Sequence, residues 1–193
     1  MEGSIFIAGA GVQWLRDRMK FFKKAPETEK IVKSLQNNND IYLVPAFTGL
    51  GAPYWDANAR GVLSGITRDT SPKEIVRATI EAVAYQTHDL FEAMKHDGLR
   101  PKIVKVDGGM VMNNWFSQFL SDIVNVKVLR PKVQETTALG AAFMAGLYLG
   151  IYKSLKDISK NWNLDKKFSP KMKNKSRTIP VSYTHLRAHE TEQ

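Results

Sequence analysis

Two segments of this chain place glycine between an apolar run and a helical pattern, and each carries an amide one helical turn later. The first is IFIAGAGVQW, with Gly9 and Gln13; the second is IVKVDGGMVMNNW, with Gly109 and Asn113. Glycine lets a ligand approach the backbone closely and accepts unusual dihedrals. A helix that follows presents unpaired N–H groups and the positive end of its dipole to an anion. An amide on that first turn can hydrogen-bond a base or a ribose. Together these features suit a nucleotide. Taken alone, each segment is more simply a tight turn between strand and helix with an amide on its surface. No GxxxxGK[ST] stretch occurs, so a Walker A loop is excluded, and neither segment completes the G-x-G-x-x-G pattern of a Rossmann site.

Other reactive residues assemble less. Asp107 precedes the second glycine pair and is expected to hydrogen-bond its turn rather than meet a ligand-bound magnesium ion. Glu74 and Glu81 read as a helix cap and a surface or paired carboxylate, with nothing to support paired-acid hydrolysis. His88 and His96 lie eight residues apart, and His185 and His189 fall in the last segment, so no metal ligand set is expected. Tyr54 and Trp55 could stack a base, but packing beside Pro53 is the simpler expectation. No residue is assigned a catalytic role.

The elements that must position these residues read as α/β. Ser4 to Ala8 is expected to be a short strand leading into a helix through about Lys20. A helix over Pro26 to Gln36 and a strand over Ile41 to Val44 follow. A long loop then runs from Pro45 to Gly61. Ser71, Pro72 and Glu74 spell a capping box with proline at the first helical position. Val76, Ile80, Val83, Leu90 and Met94 continue that helix toward Gly98. A strand over Ile103 to Val106 precedes a helix from about Asn113, and a strand over Val126 to Leu129 comes next. The small-residue helix ALGAAFMAGLYLG is expected to be buried against the sheet. From Lys166 the chain turns basic and weakly periodic. Its last part, VSYTHLRAHETEQ, resembles a translated cloning adaptor, so residues 176–193 are expected to be a non-native or disordered tail.

Composition narrows the classes. Cysteine is absent, which excludes disulfides and thiolate metal sites. Residues 151–193 hold ten Lys/Arg against four Asp/Glu, so most of the net charge of +9 belongs to the end of the chain. Nucleic-acid binding is therefore disfavoured. The longest apolar stretch, Ala138 to Tyr148, is far short of the ~20 residues that span a bilayer. The N-terminus lacks the pattern of a secretory signal. No membrane insertion is expected, and a cytoplasmic location is.

GVLSGITRDTSPKEIVRATIEAVAYQT, Gly61 to Thr87, resembles the C-terminal signature of the FGGY carbohydrate kinases. PAFTGLGAPYWDANARG, VDGGMVMNNWFSQFLSDI and RPKVQETTALGAAFMAGL are similar to the branch of that family that phosphorylates glycerol. The resemblance covers about residues 2 to 173. It implies an actin-like, ribonuclease-H-like fold and ATP-dependent conversion of glycerol to glycerol 3-phosphate. Magnesium would arrive with ATP, and the full-length protein would be a homo-oligomer. Nucleotide contacts would fall on Gly9 and Gln13 of a GAxxQ motif and on Gly109 and Asn113 of a GGxxxN motif. The family's general base, an aspartate, and its first Gly-Thr phosphate turn would lie before Met1. Residues 1–175 are therefore expected to be a partial C-terminal, nucleotide-binding domain, incomplete at both ends and inactive alone. Kinase action on another polyol or a ketose, or a noncatalytic nucleotide-binding role, are the alternatives.

Overall fold

A computed structural model of the chain describes residues 3–173; the expected tail, 176–193, lies outside them. The element order is α1 (Gly9–Asp17), α2 (Glu27–Lys33), β1 (Tyr42–Val44), β2 (Val62–Ser64), α3 (Pro72–His96), β3 (Ile103–Lys105), a 3-10 turn (Gly109–Met112), α4 (Asn114–Val124), β4 (Lys127–Pro131), α5 (Thr136–Tyr148), α6 (Leu155–Ser159) and β5 (Leu164–Phe168). β1 and β2 pair antiparallel. β3 and β4 pair parallel, as the α4 crossover requires, and β5 adds antiparallel to β4. The α/β class expected from the sequence holds.

The centre is α3. Its first four turns are buried almost all round, because β1, α1, α2 and α4 each pack on a different side. Ala78, Ala82 and Ala84 keep those approaches close. On α1, a Cβ at Gly11 would lie 2.9 Å from Thr79 Cγ2, so glycine there serves helix–helix contact. Val12, Leu15, Val32, Val76, Ile80, Phe116, Leu120 and Val128 belong to the continuous core that results.

The capping box forms as its residues dictate. The Ser71 hydroxyl oxygen accepts from the Lys73 N–H, and Glu74 accepts from the Ser71 N–H at 3.0 Å. The Ser71 side chain holds the Glu74 carboxyl below the ordinary carboxylate range. Ser71→Ala is expected to cost about 1 kcal/mol in urea unfolding at pH 7. A depressed carboxyl pKa stabilises above its unfolded value and loses that contribution as pH falls through the folded one. The gap between wild type and variant should therefore narrow below about pH 4.

Four expectations are corrected. Ser4 to Ala8 is not a strand: it has no ladder partner among the described residues, and the Ala52 N–H bonds Ser4 O while the Gly11 N–H bonds Ala8 O. α5 is not buried against the sheet; Gly146 alone is buried on it, and Tyr148 is 91% exposed. Apolar composition specified a helix there but not what covers it. Trp55 does not pack in the core; it is 64% exposed with its ring edge-on to Phe6. The basic run from Lys166 begins inside a strand, β5, whose side chains are exposed as far as Phe168, so no apolar alternation marked it. β2 and α6 were also unread, being three and five residues long.

Candidate functional site

Gly9, Gln13, Gly109 and Asn113, from segments a hundred residues apart, line one cleft of about 270 Å³. Val12, Arg16, Ala25, Pro26, Thr28, Glu29, Ile80, Met110 and Met112 complete its walls. α1 supplies one wall, since Gln13 and Arg16 fall three residues apart on its face. The start of α2 supplies a second, and the 3-10 turn a third. The volume lies just under the usual ~300–1,000 Å³ of small-molecule clefts.

The two site glycines differ from the structural ones. A Cβ at Gly9 or Gly109 would meet nothing within 4 Å. At Gly49 and Gly65 it would run into backbone, and both have positive φ. The fold thus needs glycine at 49 and 65 and leaves open space in front of 9 and 109.

Asn113 has a role the sequence did not show. It is the N-cap of α4: its Oδ1 accepts from the Phe116 N–H at 3.0 Å, and its Nδ2 donates to Thr28 Oγ1 at 3.3 Å. The helix therefore begins at Asn114, in line with the expected start near Asn113, with the 3-10 turn between it and the glycine pair. The Asn114 N–H donates to Glu29 Oε2 at 3.1 Å, so a carboxylate of the chain already occupies this helix start. The Asn114 N–H at the second segment's helix start is therefore not open to an anion. α1 differs, because no side chain caps it.

Arg16 is the one cation among the lining residues and Glu29 the one carboxylate. Arg16 is paired with Asp17 at 2.7 Å, and Glu29 with Lys33. Asp107 accepts from the Thr136 hydroxyl at the start of α5 rather than from its own glycine turn, which departs from the turn role expected of it. Among the described residues, no three His, Cys, Asp or Glu side chains gather to hold a metal, and no helix is long and apolar enough to cross a membrane. The sequence reading missed Arg16, Thr28 and Glu29. Only Arg16 carried a signal, its three-residue spacing from Gln13.

This α/β scaffold with a cleft between two glycine turns is that of a nucleotide-dependent kinase family. Residues 1–149 match the FGGY family of carbohydrate kinases, C-terminal domain, and the chain belongs to that family. It is 57% identical over 172 residues to glycerol kinase 1 of Pseudomonas aeruginosa, covering 89% of this chain and 35% of that protein. Glycerol kinase of Thermoanaerobacter pseudethanolicus is 52% identical over 178 residues, 92% of this chain and 36% of that one. The chain thus spans about a third of the length of the curated relatives it matches. A crystal structure of Plasmodium falciparum glycerol kinase with ADP superposes with a TM-score of 0.85 at 36% identity, over 98% of this chain and 38% of that one. Xylulose kinase from Lactobacillus acidophilus gives 0.75 at 25% identity, over 98% and 38%. The fold is the actin-like one of these kinases.

Proposed function

We propose that residues 1–175 form part of the C-terminal domain of an ATP-dependent kinase that converts glycerol to glycerol 3-phosphate, and that this part supplies the nucleoside wall. The observation that carries the reading is the convergence of Gly9, Gln13, Gly109 and Asn113 on one cleft. Gly9 and Gly109 admit the nucleotide to the backbone. Gln13 offers both a donor and an acceptor, and Asn113 one N–H. Val12, Ile80, Met110 and Met112 give the base an apolar slot. Higher identity to proteins named glycerol kinase than to a xylulose kinase supports glycerol as acceptor.

Phosphoryl transfer depends chiefly on positioning and on charge stabilisation at the phosphates. Magnesium held by those phosphates would supply much of that charge, and it needs few protein ligands. Glu29, tied to Lys33 and the Asn114 N–H, is not placed to abstract a proton. The reading also carries a homo-oligomeric full-length enzyme in the cytoplasm, where ATP is the working donor.

Calorimetric titration of the chain with ADP should show one saturable site, with no glycerol-dependent ADP formation by the chain itself. A hybrid in which residues 3–173 replace the matching stretch of Pseudomonas aeruginosa glycerol kinase 1 should phosphorylate glycerol in preference to xylulose. A well-folded hybrid that is silent with glycerol would refute the substrate, and absence of ADP binding would refute the site.

A further inference from the structure

Arg130, on β4, lies outside the cleft and is 6% exposed, yet its guanidinium reaches the turn that forms one of the cleft's walls. Nη1 donates to Val111 O at 2.8 Å and to Met112 O at 3.3 Å. Nη2 donates to Asn114 Oδ1 at 3.4 Å, and Nε to Asp165 Oδ2 on β5 at 2.7 Å. Asn114 is also the residue whose N–H is held by Glu29. One buried planar group therefore joins β4, β5, the 3-10 turn and, through Asn114, the wall made by α2.

We propose that Arg130 is a positioning residue for nucleotide binding, setting the 3-10 turn so that Gly109 and Asn113 face the cleft together. The proposal rests on the nucleotide reading of that cleft. A short 3-10 turn holds itself weakly, with few internal bonds and poor hydrogen-bond geometry. Here the carbonyls of Val111 and Met112 are fixed from outside by a fork of donors whose spacing is rigid. Ser117 Oγ donates to the same Val111 carbonyl at 2.8 Å, which anchors the turn from α4 as well. Lysine at position 130 would keep the charge and its pairing with Asp165. It would lose the fork, because an ammonium cannot serve two carbonyls and an aspartate along fixed directions. Asp165 orients the guanidinium from the far side, so β5 contributes to the site without lining it.

The test compares Arg130→Lys and Asp165→Asn with the wild-type chain, by amide hydrogen exchange without ligand and by ADP titration. In Arg130→Lys, exchange at residues 110–113 should rise about tenfold while residues 76–86 of α3 keep their protection, the signature of local rather than global opening. The dissociation constant for ADP should rise about tenfold in the same folded protein. Asp165→Asn, which keeps the fork, should shift both by about two- to threefold in the same direction. Unchanged turn exchange in a folded Arg130→Lys overturns the proposal, as does acceleration spread equally over α3, which would mark a stabilising role only. Should Arg130→Lys fail to fold, Asp165→Asn decides by the same two readouts. A wild-type chain that takes up no ADP defeats the nucleotide reading, and the exchange arm then still reports whether Arg130 holds the turn.

Discussion

Glu81→Leu is expected to lower the melting temperature of the chain by about 10 °C. Glu81 is 2% exposed and Arg77 9%, and the pair meets at 2.7 Å inside α3. The Tyr85 hydroxyl donates to the other Glu81 oxygen, Arg77 Nη1 donates to Leu35 O, and the guanidinium lies 5.1 Å from the Trp115 ring centre. Removing one member of such a pair leaves a buried charge and costs about 3–5 kcal/mol. In a chain of this size each kcal/mol moves the midpoint by roughly 2–4 °C. The two single replacements should not behave alike. Arginine cannot shed its proton, so Glu81→Leu is damaging at every pH. Burial already pushes the Glu81 carboxyl above its ordinary range despite Arg77. In Arg77→Met it can therefore neutralise itself. A raised carboxyl pKa gives stability that is present at low pH and lost as pH rises through it, so Arg77→Met should recover on acidification. The double variant, with both charges gone and volume kept, should melt near wild type. Thermal denaturation of the three variants at pH 5 and pH 8 checks the set, and an additive double variant would show that the pair is not coupled.

Gly109→Val should remove ADP binding while sparing the fold. A Cβ at position 109 meets nothing in the protein within 4 Å, so the added side chain is expected to enter the open space of the cleft. The dissociation constant for ADP is expected to rise at least tenfold, or about 1.4 kcal/mol, with the midpoint moved by no more than a few degrees. Gly11→Val is the contrasting case, since its side chain would drive into Thr79 between α1 and α3. That variant should lose stability. Asn113→Asp refines the picture: aspartate still caps α4, but it loses the bond to Thr28 and adds a carboxylate near Glu29, so a modest loss of stability should accompany the loss of the amide donor. Calorimetry and melting measured together separate these outcomes. ADP affinity unchanged in a folded Gly109→Val would exclude the cleft as the nucleotide site.

Local chemistry was legible in the linear order of residues. The capping box at Ser71 formed as written, because its partners lie within four residues and need no distant neighbour. The apolar spacing of α3 and α4, and the β3–α4–β4 crossover, follow from the same short-range periodicity. The four proposed nucleotide residues were also named from motif and spacing. That they share one cleft was not written locally; it required α1 and the 3-10 turn to meet across α2. Nor was it visible that Asn113 holds a helix while it faces the cleft, or that Glu29 occupies the helix start beside it. The exposure of α5 and the pairing of β5 with β4 depend on which surfaces lie nearby, and composition does not encode that. The sequence by itself determined the longer helices, the cap of α3 and the residue types that would suit a nucleotide. Only the tertiary structure decided which of those residues meet and which buried group, Arg130, bonds the turn beside them, because such contacts join positions tens of residues apart in the chain.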